Sequence, residues 1–481
     1  MSDQSIVDKF FREDEIHRPE KFLVDDQWQY LDSTAPGPSI TNQVQFDTLA
    51  LKPQLVDWQS AYLALPLRLT SSIYNSVGPV GLQYTLNPAT TQLALKASVL
   101  SLIYSCVLST GSGQQIVSDQ QIHLINNLRL LIDRSVNWMN SEAVELCYAK
   151  DVANSAATGT NAGALARCTY MMQQSELVSG PAGGPTTPAN GIEYTAIIPL
   201  RLIHEVFEAM GMQLNTHFQI QFGLNFQNNS ATIVNNFSPW TANAGTDAPY
   251  VSIGNSVIPC PRIYYRSLTL SPDYVEKLAS TYSGKFNKKI SFRVTDVSPL
   301  LGTDTIAATV GTAVNKTVSS SSVRPQRLWV LPFESGHLQG QIKPAPFECV
   351  GKLKNIQVMV NNQAYFKNPL QTQYECWQEV LRCHPGYTIN SQEGNQLNFG
   401  DFLGPATPAT LNAGAISPYI FDISRIKDRL RSPNDAVTIT FSAQKADALA
   451  VNDVYYLVER EQHVAFDFAG GGVAYKTGIQ V

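Results

Sequence analysis

The chain has 481 residues, 44% of them apolar and 15% charged, with a formal net charge of −5. Such a length carries two to four domains with ordinary cores. The charged share lies well below the ~25% of average globular chains, so the polar surface is mostly Asn, Gln, Ser and Thr, a surface suited to burial in large assemblies. The first 22 residues nearly balance acids against bases and no polybasic arm occurs, which argues against condensing nucleic acid by charge.

The chain opens with MSDQSIVDKFFREDE, which is charged and has no apolar core segment, so no secretory signal is expected. Residues 1–35 read as an arm in which Ile6, Val7, Phe10 and Phe11 form a short amphipathic helical patch, followed by the linker STAPGPS. AYLALPLRL then places Leu63, Leu65, Leu67 and Leu69 on one face of a strand. ASVLSLIYSCVL is the most apolar run, and it is too short to span a bilayer. LIYSCVLSTGSGQQIVS predicts a hairpin around Gly111 and Gly113, and LINNLRLLIDRSVNW predicts a helix. Residues 150–190, rich in Ala, Gly, Ser, Thr and Pro, read as a long loop.

Residues 198–211, IPLRLIHEVFEAMG, interrupt the strand signals. Leu200, Ile203, Phe207 and Met210 fall at helical spacing, Pro199 suits a first turn and Gly211 suits a cap. The strand-like EYTAII precedes this helix. HFQIQFGLNF follows it, alternating Phe218, Ile220, Phe222, Leu224 and Phe226 with Gln219, Gln221, Gly223 and Asn225. A polar loop is expected over 227–250.

The second half repeats the style. RIYYRSLTL and KKISFRVTDV read as strands, 303–325 as a loop, and RLWVLPF and NIQVMVNNQ as strands. NPLQTQYECWQEVLRCHPG carries Leu370, Tyr374, Trp377 and Leu381 at helical spacing before Pro385-Gly386. Val437, Ile439 and Phe441, then Val464, Phe466 and Phe468, mark two late strands. Each half thus has many short strands, long loops and a helix between two late strands. The simplest architecture is two consecutive antiparallel sandwiches of the jelly-roll type, over 36–255 and 256–481. The seven cysteines, Cys106, Cys147, Cys168, Cys260, Cys349, Cys376 and Cys383, are scattered and odd in number, so no disulfide framework is expected.

Several stretches together resemble the double jelly-roll major capsid proteins of the polinton-like virus, adintovirus and virophage branch. They are RIYYRSLTLSPDYVEKLASTYSGKFNKKISF from Arg262, SPYIFDISRIKDRLRSPNDAVTITFSAQ from Ser417 and DVYYLVEREQHVAFDFAGGGV from Asp453. VDWQSAYLALPLRL and IPLRLIHEVFEAMGMQL in the first half also match that pattern. The resemblance covers about residues 40 to 475. It implies two eight-stranded jelly rolls, each with a short helix between strands F and G, and assigns the 198–211 helix to that connection. It further implies homotrimers forming pseudo-hexameric capsomers that tile the icosahedral shell of a double-stranded DNA virus. The implied partners are neighbouring capsomers, penton proteins and minor capsid or cement proteins, with no sequence-specific nucleic-acid binding. The implied location is the virion, after synthesis in host cytoplasm or nucleus. A two-domain carbohydrate-binding sandwich is the alternative, with Trp240 and Tyr250 as its loop aromatics.

The residues offer little chemistry. No His-x-His pair occurs among His17, His123, His204, His217, His337, His384 and His463, so the metal set of a cupin is not formed. His204 and Glu205 are the one candidate acid/base or metal pair, and a packing role is the plainer reading. Cys376, Cys383 and His384 share one helix without a second ligand pair, which suits buried small hydrophobes rather than zinc. SGKF at 283–286 lacks the remainder of a phosphate-binding loop, and no Gly-x-Ser-x-Gly elbow appears. Arg262, Arg266, Lys285, Lys288 and Lys289 form a mild basic cluster, read as solvated or subunit-facing. No catalytic, cofactor-binding or metal residues and no cofactor are assigned, and a non-enzymatic protein is expected.

Overall fold

The structure, a computed structural model, describes residues 23–34, 43–48, 55–71, 93–111, 113–150, 162–173, 176–178, 191–214, 218–224, 234–236, 249–253, 258, 260–271, 287–297, 304–334, 351–383, 396–404, 417–424, 435–447, 451–467 and 472–477. Two antiparallel sandwiches emerge from its strand pairing. In the first, one sheet runs Leu23–Asp32, Arg262–Leu270, Leu55–Ser71, Gly191–Pro199, and the other runs Gln43–Asp47, Phe218–Leu224, Ile103–Thr110, Gln115–Gln120. In the second, the sheets run Asn287–Val297, Asn452–Asp467, Pro325–Glu334, Tyr419–Asp422 and Ala313–Ser322, Val437–Lys445, Leu353–Val360, Gln363–Ala364. Counting the eight main strands of each sandwich in chain order, both give the sheet orders 1-8-3-6 and 2-7-4-5. This double weave is the jelly roll, so the expected fold class holds. Shorter strands, such as Pro249–Ile253 and Gly472–Thr477, extend the sheets beyond these eight.

Alternation of apolar and polar side chains drives the pairing. Phe218, Ile220 and Phe222 turn inward at 0% exposure, and Trp58 on the facing sheet meets the Phe218 ring at 6.4 Å. In the second sandwich Val437, Ile439 and Phe441 are buried between half-buried threonines and Ser442, and Phe441 meets Phe421 and Tyr456 of the opposite sheet. The hairpin between Ile103–Thr110 and Gln115–Gln120 forms as read, with Gly113 at a positive φ of 83° that suits its missing Cβ.

Two strands sit elsewhere than the sequence boundaries placed them. Leu23–Asp32, read as part of the arm, is the first strand of the first sandwich. Arg262–Leu270, read as opening the second jelly roll, is the eighth strand of the first. The burial of Ile263 and Tyr265 ties that strand to the first core. The amphipathic patch at Ile6–Phe11 lies outside the described residues.

The helices also need redistribution. A helix does stand between the fifth and sixth strands of each sandwich, positions F and G, but in the first half it begins with Ile122–Asp133. In the second half it is Gln373–Arg382. The 198–211 helix instead follows the sixth strand and precedes the seventh, and it is two pieces, Leu200–Ile203 and Glu205–Met210. His204 breaks it: its backbone is extended, at φ −153° and ψ 135°, and its Nδ1 accepts the Val206 N–H as a cap.

All three predicted loops contain structure, and within 227–250 lies the short strand Val234–Asn236, paired with Leu93–Leu95. Within 150–190 lies the helix Ala162–Gln173, whose alanines favour helix, and its fully buried Arg167 donates to the Leu95 and Ala149 carbonyls at 2.8 and 2.5 Å. Within 303–325 lie Asp304–Ile306 and Ala313–Ser322. In the latter Val314 and Val318 turn inward and Ser322 is also buried, and its register slips at Thr317/Ser319 and again at Ser319/Ser322. Among the described residues, no helix is long and apolar enough to cross a membrane.

Candidate functional site: the charged seam between the sandwiches

The helices of the first sandwich pack onto one sheet of the second, and there the chain concentrates its buried charge. Arg129 and Asp133 come from the helix Ile122–Asp133, and Glu205 opens the helix Glu205–Met210. Facing them are Arg293, Arg327 and Glu459, from three strands of the second sandwich's larger sheet. Arg129 Nε donates to Glu459 Oε1 at 2.8 Å, and Arg129 Nη2 donates to Thr295 Oγ1 at 3.2 Å. Arg293 Nε donates to Glu205 Oε1 at 2.6 Å, and the Arg293 backbone N–H donates to Glu205 Oε2 at 3.0 Å. Arg327 Nη1 reaches Asp133 at 3.2 Å, and its Nη2 donates to the Cys383 carbonyl at 2.6 Å. Glu459 Oε2 makes no hydrogen bond but lies 3.8 Å from Arg293 and 3.9 Å from Arg327.

Three guanidiniums thus share three carboxylates. Formal charge cancels inside the seam, which is the condition for burying ions at all. Burial alone would raise the Glu459 carboxyl. The charges of Arg129, Arg327 and Arg293 outweigh it and hold the group below its ordinary range. Burial likewise opposes ionisation of Glu205, and its hydrogen bond with Arg293, with the charges of Arg129 and Arg293, brings it to about 2.

Further polar contacts flank this cluster. Asp119 Oδ2 accepts the Thr295 N–H at 2.8 Å and lies 3.3 Å from His204 Nε2. Since Nδ1 of His204 accepts from Val206, the ring carries its proton on Nε2 and donates to Asp119. The His204 ring also meets Phe292 of the second sandwich edge-on at 5.7 Å. Gln462 Nε2 donates to the Ile116 carbonyl at 2.7 Å. A second contact zone joins Tyr148 to Gln396 at 2.7 Å, Lys150 to the Gln396 carbonyl at 2.7 Å, and Lys150 to Asp401.

The candidate pair His204 and Glu205 therefore lies in the seam, each bound to the opposite sandwich or to Asp119, in a packing and cross-linking role. Cys376 and Cys383 are buried free thiols, pushed up to about 12 chiefly by burial, as expected of small hydrophobes. His384 lies outside the described residues, and among those described no cluster of His, Cys, Asp and Glu is placed to hold a metal. Arg262 and Arg266 do not form an open basic patch, because Asp32 and Asp26 on the neighbouring strand pair with them. Lys285 lies outside the described residues, and Lys288 and Lys289 lie at the start of Asn287–Val297. Trp240 also lies outside the described residues, and Tyr250 lies on the short strand Pro249–Ile253. Arg129, Asp133, Arg293, Arg327 and Glu459 escaped the sequence reading. Their ion-pair partners lie 88 to 330 positions away, and only the apolar periodicity around Arg129 marks its helix.

No protein-family model matches the chain, and no curated protein matches it in sequence. Among solved structures, a chain of the Sputnik virophage determined by cryo-EM is 13% identical, with a TM-score of 0.62, over 96% of this chain and 90% of that one. The mavirus major capsid protein is 13% identical, with a TM-score of 0.56, over 94% of this chain and 90% of that one. What these share with the chain is the fold, and they share it from end to end, both sandwiches included.

Proposed function

We propose that this chain is a major capsid protein of a double-stranded DNA virus, a structural role without a catalytic step. The observation that carries the reading is the repeated jelly roll itself, 1-8-3-6 over 2-7-4-5 twice in one chain, similar over 94% of its length to the mavirus major capsid protein. Two unlike barrels per chain let a homotrimer present six barrels, a pseudo-hexameric tile built from heterologous contacts that close after three steps. Such a tile requires the two barrels of a chain to keep one mutual orientation, and the neutral, hydrogen-bonded seam suits that requirement. The proposed division is a first jelly roll from about residue 23 to 271 and a second from about 287 to 477. Neighbouring capsomers are the main partners, with penton and minor capsid or cement proteins completing a virion shell.

Native mass spectrometry of the purified protein tests the reading, with negative-stain imaging of any larger species. The expected result is a dominant trimer of the 52.8 kDa chain with hexagonal outlines. A protein that stays monomeric at every concentration and binds glycans instead overturns it in favour of a two-domain binding module.

A further inference from the structure

Lys445 ends the seventh strand of the second sandwich and Asn452 begins the eighth, so this pair bridges the two sheets of that sandwich. Both are buried, Lys445 at 0% exposure and Asn452 at 2%. Lys445 Nζ lies 2.5 Å from Asn452 Oδ1 and 3.8 Å from Asp447 Oδ1. A C=O bond is about 1.2 Å long, so Nζ, which donates to Oδ1, stands no farther than about 3.7 Å from the amide carbon Cγ, and a short shift from the oxygen to the carbon brings it to attack.

The surroundings hold the amide in that pose. Asn452 Nδ2 donates to the Phe333 carbonyl at 3.3 Å, which turns Oδ1 and Cγ toward the lysine. Gly351 backs the amide: a Cβ there would stand 3.1 Å from both Asn452 Cγ and Nδ2. Asp447 is fixed beside the amine by accepting the Lys352 N–H at 3.3 Å. Burial pushes the Lys445 ammonium down, against the pull of Asp447, towards the neutral amine that is the nucleophile.

We propose that Lys445 and Asn452 join in an intramolecular isopeptide bond, with Asp447 carrying the proton. Asp447 takes a proton from the ammonium, and the freed amine attacks Asn452 Cγ. The tetrahedral adduct expels the amide nitrogen as ammonia with the proton that Asp447 returns, and the attacking nitrogen gives up its second proton, which the ammonia carries off as ammonium. One N–C bond forms and one breaks, the lysine's positive charge departs as ammonium, and nothing is oxidised or reduced. The product is a covalent clamp between the two sheets of the second sandwich, and it is independent of the proposed capsid role.

Intact mass spectrometry of the full chain decides the matter. The expected mass is lower than that of the sequence by one ammonia. Trypsin is expected to leave Lys445 uncut, giving a single 432–460 peptide that lacks fragment ions between residues 445 and 452. The Asn452→Ala and Asp447→Asn chains are expected at their full sequence mass. A wild-type chain at full mass overturns the proposal. So does an ammonia loss in a chain that trypsin still cuts after Lys445, since that is the mark of a succinimide at Asn452. Loss of ammonia persisting in Asp447→Asn overturns the role given to Asp447.

Discussion

Glu459 carries its charge at 0% exposure with three arginines around it, and one of its oxygens has only ion-pair company. A buried ion pair gains little over an apolar pair of the same shape, but removing one partner leaves the rest uncompensated. Glu459→Gln keeps the volume and leaves three guanidiniums facing two carboxylates. It is expected to destabilise the fold by about 3 kcal/mol, read as a lower urea midpoint at unchanged slope. An unshifted midpoint would show that the arginines find other partners. Glu205 gives a pH signature. Its carboxyl falls from an ordinary value of 4.5 in the open chain to about 2 in the fold. A depressed carboxyl stabilises the fold fully above the open-chain value, and the contribution fades as pH drops from about 4.5 towards 2. On the order of 3 kcal/mol is lost across that window. Thermal midpoints measured from pH 6 to pH 2 are expected to fall more steeply for the wild type than for Glu205→Gln, and parallel curves would assign the acid sensitivity elsewhere.

At the scale of elements, the helix Gln373–Arg382 shows what sequence can announce. Thr372 Oγ1 accepts the Glu375 N–H at 3.2 Å, and Glu375 Oε2 accepts the N–H groups of Thr372 and Gln371 at 2.9 and 2.7 Å, a full capping box. Those backbone hydrogen bonds hold the Glu375 carboxyl below its ordinary value. Thr372→Ala is expected to cost about 1 kcal/mol and to speed exchange of the Glu375 amide roughly fivefold by hydrogen–deuterium exchange, and unchanged exchange would deny the cap its role. This helix, the Gly113 hairpin and the strands around Ile439 and Phe222 were legible because local spacing alone encodes them. Ala313–Ser322 was not, because Lys316 stands between Val314 and Val318 and four serines follow, so too few apolar residues mark the alternation of a strand. The helix Ala162–Gln173 hid in a stretch whose glycines and serines read as loop, and its buried Arg167 has no signature until the Leu95 and Ala149 carbonyls are brought to it. The helical spacing of 198–211 does form helix, but one connection later than the resemblance implies. Helical periodicity says what a segment is, whereas only strand order says which loop it occupies.

Across the whole molecule, the seam decides whether two jelly rolls behave as one body. Arg129 and Glu459 are 330 positions apart in sequence, so no local pattern relates them, and their pairing follows from the chain order of both barrels. The seam also packs the buried Phe292 ring of the second sandwich against the His204 ring of the first. Melting either sandwich therefore strips apolar cover from the other and separates charges matched only in the docked state. The wild-type chain is accordingly expected to unfold in a single calorimetric transition. Arg293 touches Glu205, Asp133 and Glu459 at once, so Arg293→Ala leaves carboxylates buried and unmatched whenever the halves dock. Combined with Arg129→Ala it is expected to make docking unfavourable by several kcal/mol and to split the transition into two, one for each sandwich. Two transitions already present in the wild type would mean that each barrel is stable alone and that the seam sets orientation without coupling their stability.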